Sequence, residues 1–193
     1  MARRIGIFGG TFNPVHIAHV AVAREFLSAF SLDLLYVIPN NIPPMKESHG
    51  VSGQERLEML EIAFSGVDRV HISDTEIRRG GMSYTRDTVL EIKTLHPDSE
   101  LFLLMGDDWI DRFDKWRDYR IILDNATLVV AYRGEGDIIT HLDRIEALSG
   151  HRPLLLENER IELSSSLLRA DVQRDMLPDG VYEYIQKRGL YSK

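Results

Sequence analysis

The 193-residue chain contains no cysteine, so it forms no disulfide bond and offers no thiolate ligand to a metal ion. No apolar run approaches the ~20 residues that span a bilayer. The first ten residues carry two arginines but lack the apolar stretch of a signal peptide. We therefore expect a cytoplasmic protein without a membrane partner.

Several common nucleotide and metal motifs are also missing. The sequence has no GxxxxGK followed by serine or threonine, which excludes a P-loop, and no GxGxxG, the dinucleotide fingerprint of dehydrogenases. It has no HExxH zinc motif either. Any phosphate or nucleotide site must therefore be built in another way.

The charge balance is acidic, with 23 lysines and arginines against 30 aspartates and glutamates, a net charge of −7. Binding to a nucleic-acid backbone needs a broad basic face, so we expect no nucleic-acid partner. A phosphorylated small molecule needs only a local cluster of donors and remains compatible with this charge. The composition, 44% hydrophobic and 27% charged, is that of an ordinary globular protein.

Short apolar segments rich in branched residues alternate with helical patterns along the chain. The predicted strands are 5–8, 34–38, 69–72, 101–105, 127–132 and a weaker pattern at 154–156. The predicted helices are 17–30, 53–64, 84–95, a stretch around 116–123, 138–148, 164–174 and 179–188. Ser52 and Glu55 form a capping-box pattern at the start of the second helix.

This alternation predicts an α/β fold, a Rossmann-like doubly wound parallel sheet with helices on both faces and a short helical C-terminal tail. We expect a single domain over residues 1–193, with the sheet core at about 1–157 and the C-terminal helices at about 163–193. Ligands bind such sheets beyond the carboxyl ends of the strands. The unusual segments 9–19, 39–46 and 106–108 all follow predicted strands.

The first of these segments reads GGTFNPVHIAH. Gly9 and Gly10 would let the backbone approach a phosphate, and a helix start offers free N–H groups and partial positive charge to an anion. His16 and His19 are three residues apart and therefore share one helix face. Taken singly, the glycines could be a tight turn and the histidines a metal pair. Together the residues resemble the signature of the nucleotidylyltransferase superfamily, with Ala18 where that family usually has glycine.

Four more segments carry the resemblance: PNNIPPMK at 39–46, SYTRDT at 83–88, MGDDW at 105–109 and LSSSLLR at 163–169. With the ending at 189–191, they are similar to the bacterial nicotinate mononucleotide adenylyltransferases. The two histidines also favour this pyridine-nucleotide branch, since the phosphopantetheine adenylyltransferases carry threonine in place of His16. Met45 departs from the family, which usually has histidine there.

The resemblance implies transfer of AMP from ATP to nicotinate mononucleotide, giving deamido-NAD and pyrophosphate. The catalytic residues that it implies are His16, His19, Lys46 and Arg169. The implied ATP-binding residues are Gly9, Gly10, Thr11, Phe12, Gly106, Asp108, Ser164, Ser165 and Ser166. The implied acceptor-binding residues are Asn40, Thr85 and Trp116. Magnesium is expected on the ATP phosphates, without dedicated protein ligands.

Several alternatives stay open at this point. Nicotinamide mononucleotide or phosphopantetheine as acceptor would leave the ATP motifs unchanged, and a nucleotide-binding sensor without activity would keep the fold. Lys46 could be a solvated loop residue, Ser83 or Thr85 a helix cap, and Trp116 a core residue. Arg86 and Arg117 lie beside the implied acceptor contacts and would favour an anion, although either could simply be solvated. A homo-oligomer is neither indicated nor excluded.

Overall fold

The computed structural model describes residues 2–43, 50–132, 137–157, 163 and 165–192. Within these residues, six strands form one parallel sheet in the order β3-β2-β1-β4-β5-β6. The strands are β1 Arg4–Gly10, β2 Leu34–Pro39, β3 Val70–Ile72, β4 Glu100–Gly106, β5 Thr127–Tyr132 and β6 Leu154–Glu157. The order reverses between β1 and β4, so their carboxyl ends mark the topological switch point where such sheets bind ligands. The predicted doubly wound α/β fold is confirmed.

Helices connect the strands and cover the sheet. They are α1 Ile17–Ala29, α2 Gly53–Ala63, α3 Thr75–Arg79, α4 Thr85–Leu95, α5 Tyr119–Asn125, α6 Ile138–Ser149, α7 Ser165–Ala170 and α8 Val181–Arg188. Short 3-10 helices span Asp107–Lys115 and Arg174–Met176. In the described parts of the chain, no helix is both long and apolar enough to cross a membrane.

Alternating side chains of the buried strands divide the core between the two faces of the sheet. Ile7 of β1 and Leu103 of β4 face the cluster that α4, α5 and α6 complete, whereas Leu104 of β4 faces the cluster of α1, α2, α7 and α8. Packing on this second face is tight. A Cβ added to Gly6 of β1 would lie 2.9 Å from the ring of Phe26 on α1, so the close approach of helix and strand requires glycine there.

Sequence and structure agree on the strands, whose observed bounds all lie within two residues of the predicted ones. The capping box at α2 is also confirmed: the Ser52 N–H donates to Glu55 Oε2 at 2.8 Å, and the Glu55 N–H donates to Ser52 Oγ at 3.2 Å. Helix α3 was not predicted.

Two predicted helices are wrong in extent. The stretch around 116–123 is divided, because Trp116 follows the 3-10 helix and Asp118, with φ 51°, adopts a left-handed conformation before α5 begins. The helix predicted at 164–174 ends at Ala170 and a separate 3-10 turn follows, while Ser164 lies outside the described residues. Leu168 of α7 and Val181 of α8 are nevertheless buried in the core of the sheet.

Candidate functional site

A cavity of about 880 Å³ opens at the carboxyl ends of β1 and β4. Its size is in the range of small-molecule sites. The predicted site residues that line it are Gly9, Gly10, Thr11, Phe12, His16, His19, Asn40, Thr85, Gly106, Asp108, Trp116, Ser165, Ser166 and Arg169. The other two, Lys46 and Ser164, lie outside the described residues. The structure therefore gathers segments that are up to 160 residues apart in sequence.

The loop after β1 turns sharply at Phe12, which has a φ of 50° and a buried ring. That ring folds back against Gly10, where an added Cβ would come within 2.9 Å of it. Gly9 faces open space instead, so a ligand can approach its backbone closely. The Asn40 Nδ2 donates to Thr11 Oγ1 at 3.1 Å and so ties the loop after β2 to this turn.

The two histidines stand at the N-terminus of α1, with His16 as the N-cap. The His16 N–H donates to His19 Nδ1 at 3.2 Å, and the two rings stack with their centroids 3.7 Å apart. Because Nδ1 of His19 accepts this bond, its neutral ring carries the proton on Nε2, which becomes a donor. The N-terminus of α1 adds partial positive charge at the same place. The arrangement suits a phosphate group.

Side chains from the C-terminal segment hold the other side of this loop. Ser165 Oγ donates to the carbonyl oxygen of Pro14 at 2.9 Å, and Arg169 Nη1 donates to that of Asn13 at 2.9 Å. Arg169 Nη2 also donates to Ser166 Oγ at 2.9 Å, and the Tyr191 hydroxyl donates to Asn13 Oδ1. Helix α7 is thereby fixed against the histidine loop, with its arginine and both serines at the cavity wall.

Sequence reasoning missed Arg56, which is buried at 4% exposure. Its Nη1 donates to the Thr11 carbonyl oxygen at 2.9 Å, and its Nη2 donates to those of Asn40 at 2.6 Å and Asn41 at 3.3 Å. Burial lowers the pKa of the guanidinium, while nearby Tyr191 and Glu76 oppose that effect.

One sequence signal points to this position. Arg56 is three residues before Met59 and four before Leu60, so it falls on the buried stripe of α2, which a solvated arginine would avoid. The guanidinium instead joins the loops after β1 and β2.

Glu76 is a buried carboxylate at 6% exposure that also lines the cavity. Thr88 Oγ1 donates to Glu76 Oε1 at 2.6 Å. Burial raises the pKa of Glu76, against the lowering effect of hydrogen bonds from Thr88 and Ser83. The Ser83 hydroxyl also accepts the Asn41 N–H at 2.8 Å, so this network continues to the loop after β2.

The helix-cap alternative for this segment is wrong. Tyr84 is the N-cap of α4 and makes no side-chain capping hydrogen bond, and Thr85 is the first residue of the helix. The Ser83 hydroxyl instead accepts the Asn41 N–H of the loop after β2. Thr85 lies at the cavity wall, in the helix turn whose backbone N–H groups have no partner within the helix.

Trp116 is both a core and a cavity residue. Its ring packs against Phe113 with centroids 5.3 Å apart and edge-on to Trp109 at 6.3 Å, while part of the side chain lines the cavity.

At the end of β4, a Cβ on Gly106 would clash with the carboxylate of Asp108, so glycine is needed for Asp108 to occupy its position at the cavity wall.

In the parts of the chain that the structure describes, no group of three histidine, aspartate or glutamate side chains could hold a metal ion. Magnesium is usually bound through phosphates, one or two carboxylates and its own waters, so it needs no such cage. Asp108, an exposed carboxylate on the cavity wall, is compatible with that kind of binding.

The fold agrees with the comparisons to known proteins. Residues 7–171 match the model of the cytidylyltransferase-like family, and the chain belongs to this family. Within it, the chain is 37% identical to the "probable nicotinate-nucleotide adenylyltransferase" of Geobacillus thermodenitrificans, over 98% of this chain and 86% of the relative. It is 36% identical to the protein of that name from Gemmatimonas aurantiaca, over 98% of this chain and 93% of that relative.

A solved structure shares the fold. The Plasmodium falciparum nicotinic acid mononucleotide adenylyltransferase complexed with NaAD superposes with a TM-score of 0.80 over 98% of this chain and 97% of that one, at 20% identity. The resemblance predicted from the motifs is therefore confirmed at the level of family and fold.

Proposed function

We propose that this protein is a nicotinate-nucleotide adenylyltransferase, which transfers AMP from ATP to nicotinate mononucleotide and releases pyrophosphate and deamido-NAD. The observation that carries the proposal is the cavity at the switch point, which brings His16, His19 and Arg169 together with Thr85 and Trp116. The 37% identity to a relative of that name over nearly the whole chain supports the same activity.

At the ATP end, His16 and His19 hold the α- and β-phosphates at the N-terminus of α1. Arg169, with Ser165 and Ser166, holds the departing pyrophosphate, because a guanidinium can fork two hydrogen bonds onto phosphate oxygens. Lys46 and Ser164 belong to the same proposed group. The backbone at Gly9 and Gly10, the turn at Thr11 and Phe12, and the pair Gly106 and Asp108 bind the rest of the nucleotide, with the Asp108 carboxylate accepting from the ribose hydroxyls.

The reaction needs little chemistry from the protein. The phosphate of the mononucleotide is already ionised near neutral pH, so its oxygen attacks the α-phosphorus of ATP without a general base. The bond to the β-phosphate breaks and pyrophosphate leaves. Catalysis then consists of positioning the two nucleotides and stabilising charge on the phosphoryl oxygens. Mg²⁺, bound to the ATP phosphates, would supply further charge stabilisation.

At the acceptor end, Trp116 stacks on the pyridine ring, Thr85 offers a backbone N–H at the start of α4, and Asn40 binds the mononucleotide. A ring carboxylate forms charge-assisted hydrogen bonds with backbone N–H groups, which are about twice as strong as neutral ones. An amide must also place its own N–H, and a buried unmatched donor costs roughly 1–3 kcal/mol.

We also propose that residues 1–193 act as one domain, since α7 and α8 share the core of the sheet.

Pyrophosphate release from ATP with each acceptor in turn tests the proposal. We expect nicotinate mononucleotide to exceed nicotinamide mononucleotide by at least about tenfold in kcat/KM, and phosphopantetheine to give no product. Trp116→Ala should weaken both mononucleotides, because stacking does not distinguish the ring substituent. Equal or reversed preference would overturn the nicotinate assignment, and no release with any acceptor would overturn adenylyl transfer.

A further inference from the structure

Two arginines lie beside the proposed acceptor contacts, and the structure separates their roles. Arg86 Nε is 2.8 Å from Asp87 Oδ1, and its Nη1 is paired with Asp118 Oδ2. These bonds raise the pKa of Arg86. Among the residues that the structure describes, Arg86 is not part of the cavity wall. Two carboxylates therefore compensate its charge, and it fixes α4 to the segment before α5.

Arg117 is placed differently. Its guanidinium carbon lies 4.7 Å from the centroid of the Tyr84 ring, and both residues line the cavity. Its ion pair with Asp118 is longer, at 3.8 Å, and goes to the same carboxylate oxygen that Arg86 holds more closely. A cation over an aromatic face is held without being neutralised. The Arg117 charge therefore lies at the cavity wall and is only weakly compensated by Asp118.

The neighbours of Arg117 are the acceptor contacts themselves. Trp116 precedes it in the chain, and Tyr84, over which it lies, directly precedes Thr85. The nearby wall also contains the carboxylate of Glu76, so the acceptor end is not uniformly positive. A second weakly paired cation, Lys115, lines the cavity with its Nζ 3.8 Å from Asp114.

We propose that Arg117 is a specificity-determining residue, whose guanidinium over Tyr84 favours an acceptor with a negatively charged ring substituent. The inference rests on the proposed function and deepens it. The attraction acts on a carboxylate and not on a neutral amide, whereas stacking on Trp116 acts on both. Because the Arg117 side chain is 53% exposed, water and salt screen the attraction. We expect it to be worth a factor of about three to ten.

The test compares Arg117→Met, which removes the charge and keeps an unbranched stem, with Arg117→Lys, which keeps the charge. kcat/KM is measured with nicotinate and with nicotinamide mononucleotide. In Arg117→Met we expect the nicotinate value to fall about three- to tenfold and the nicotinamide value to change by less than about twofold. Arg117→Lys should retain most of the preference. Added salt should reduce the preference of the parent and leave that of Arg117→Met nearly constant.

Arg112→Met is the matched control, since Arg112 lies on the 3-10 helix, is 68% exposed and does not line the cavity. It should leave both acceptors unchanged. An equal loss with both acceptors in Arg117→Met, or an unchanged ratio, would overturn the specificity role, because a merely structural residue affects the two alike. If the parent releases no pyrophosphate with either mononucleotide, the proposed function itself fails, and this inference fails with it.

Discussion

His19 lies at the N-terminus of α1 and accepts a backbone N–H on Nδ1, so its neutral ring carries the proton on Nε2. We expect His19→Ala to lower kcat roughly a hundredfold or more, as the loss of a transition-state donor does, and to change the KM for ATP much less. Steady-state pyrophosphate release measures both constants. His151→Ala, at an exposed histidine near Asp124, is the control. A His19→Ala enzyme within a few-fold of the parent kcat would exclude this histidine from the mechanism.

Arg169 can be tested through the leaving group. In the reverse reaction pyrophosphate is a substrate, so a residue that holds it affects the apparent affinity directly. We expect Arg169→Ala to raise the KM for pyrophosphate by about tenfold or more, and Arg169→Lys to recover only part of the loss, because an ammonium group cannot reproduce the forked contact. An unchanged KM in Arg169→Ala would mean that Arg169 serves only to dock α7 on Asn13.

Among the secondary-structure elements, α2 buries one polar residue, Arg56, and this residue forms hydrogen bonds with the loops after β1 and β2. Arg56→Met should leave the carbonyl groups of Thr11, Asn40 and Asn41 without this donor. The loss of a buried hydrogen-bond partner costs about 1–3 kcal/mol, so we expect the free energy of unfolding to fall by at least that amount. Because both loops carry site residues, kcat should fall as well.

Urea denaturation and steady-state kinetics measure the two effects of this change. Arg56→Lys keeps the charge but can bond to fewer carbonyl groups. Its free energy of unfolding and its kcat should therefore lie between those of Arg56→Met and the parent. Exposed Arg24→Met on α1 is the control. Parent-like kinetics in a destabilised Arg56→Met would show that the guanidinium stabilises the fold without positioning the loops.

The elements also show where sequence reasoning succeeds. Buried strands such as β4 are continuous apolar runs of limited length, and the glycine and proline signals around them set their bounds, so all the strands could be predicted. The sequence could also predict that the candidate site residues lie together, because their motifs follow strands and the ends of parallel strands meet at one edge.

Other features depend on tertiary contacts that no local pattern records. The left-handed backbone of Asp118 divides a stretch with a helical pattern. The role of Arg56 depends on loops that are 15 and 45 residues away in sequence. Arg86 and Arg117 look equivalent in the sequence, and tertiary contacts separate them: Arg86 pairs closely with Asp118, whereas Arg117 lies over Tyr84 at the cavity wall.

For the molecule as a whole, Glu76 links stability to pH. Its pKa in the folded state is raised above the ordinary value of 4.5 by burial. The pH window of interest lies between 4.5 and the raised pKa of the folded state. In this window the folded chain binds more protons than the unfolded chain, so the contribution of Glu76 to the free energy of unfolding falls as the pH rises. Glu76→Gln keeps an oxygen acceptor for Thr88 but does not titrate. The stability of this variant relative to the parent should therefore increase with pH across the window and level off above it.

Urea denaturation of both proteins at about one-unit steps between roughly pH 4 and pH 8 measures this difference. Thr88→Val is a second test. It removes a hydrogen bond that lowers the pKa of Glu76, so the pH range over which the stability changes should extend to higher pH. A stability difference that is independent of pH would show that Glu76 titrates alike in the folded and unfolded chains.

The hydrogen bonds that attach the C-terminal segment to Asn13 and Pro14 have a consequence for how activity is acquired. They join residues 151, 156 and 178 positions apart. Closing loops of this length costs chain entropy before the contacts compensate it, so such pairings form slowly compared with local helices. During refolding, helix content measured by circular dichroism should therefore recover before adenylyl transfer does. A chain can have regained its helices and still lack a phosphate site, which makes catalytic activity the stricter measure of a native molecule.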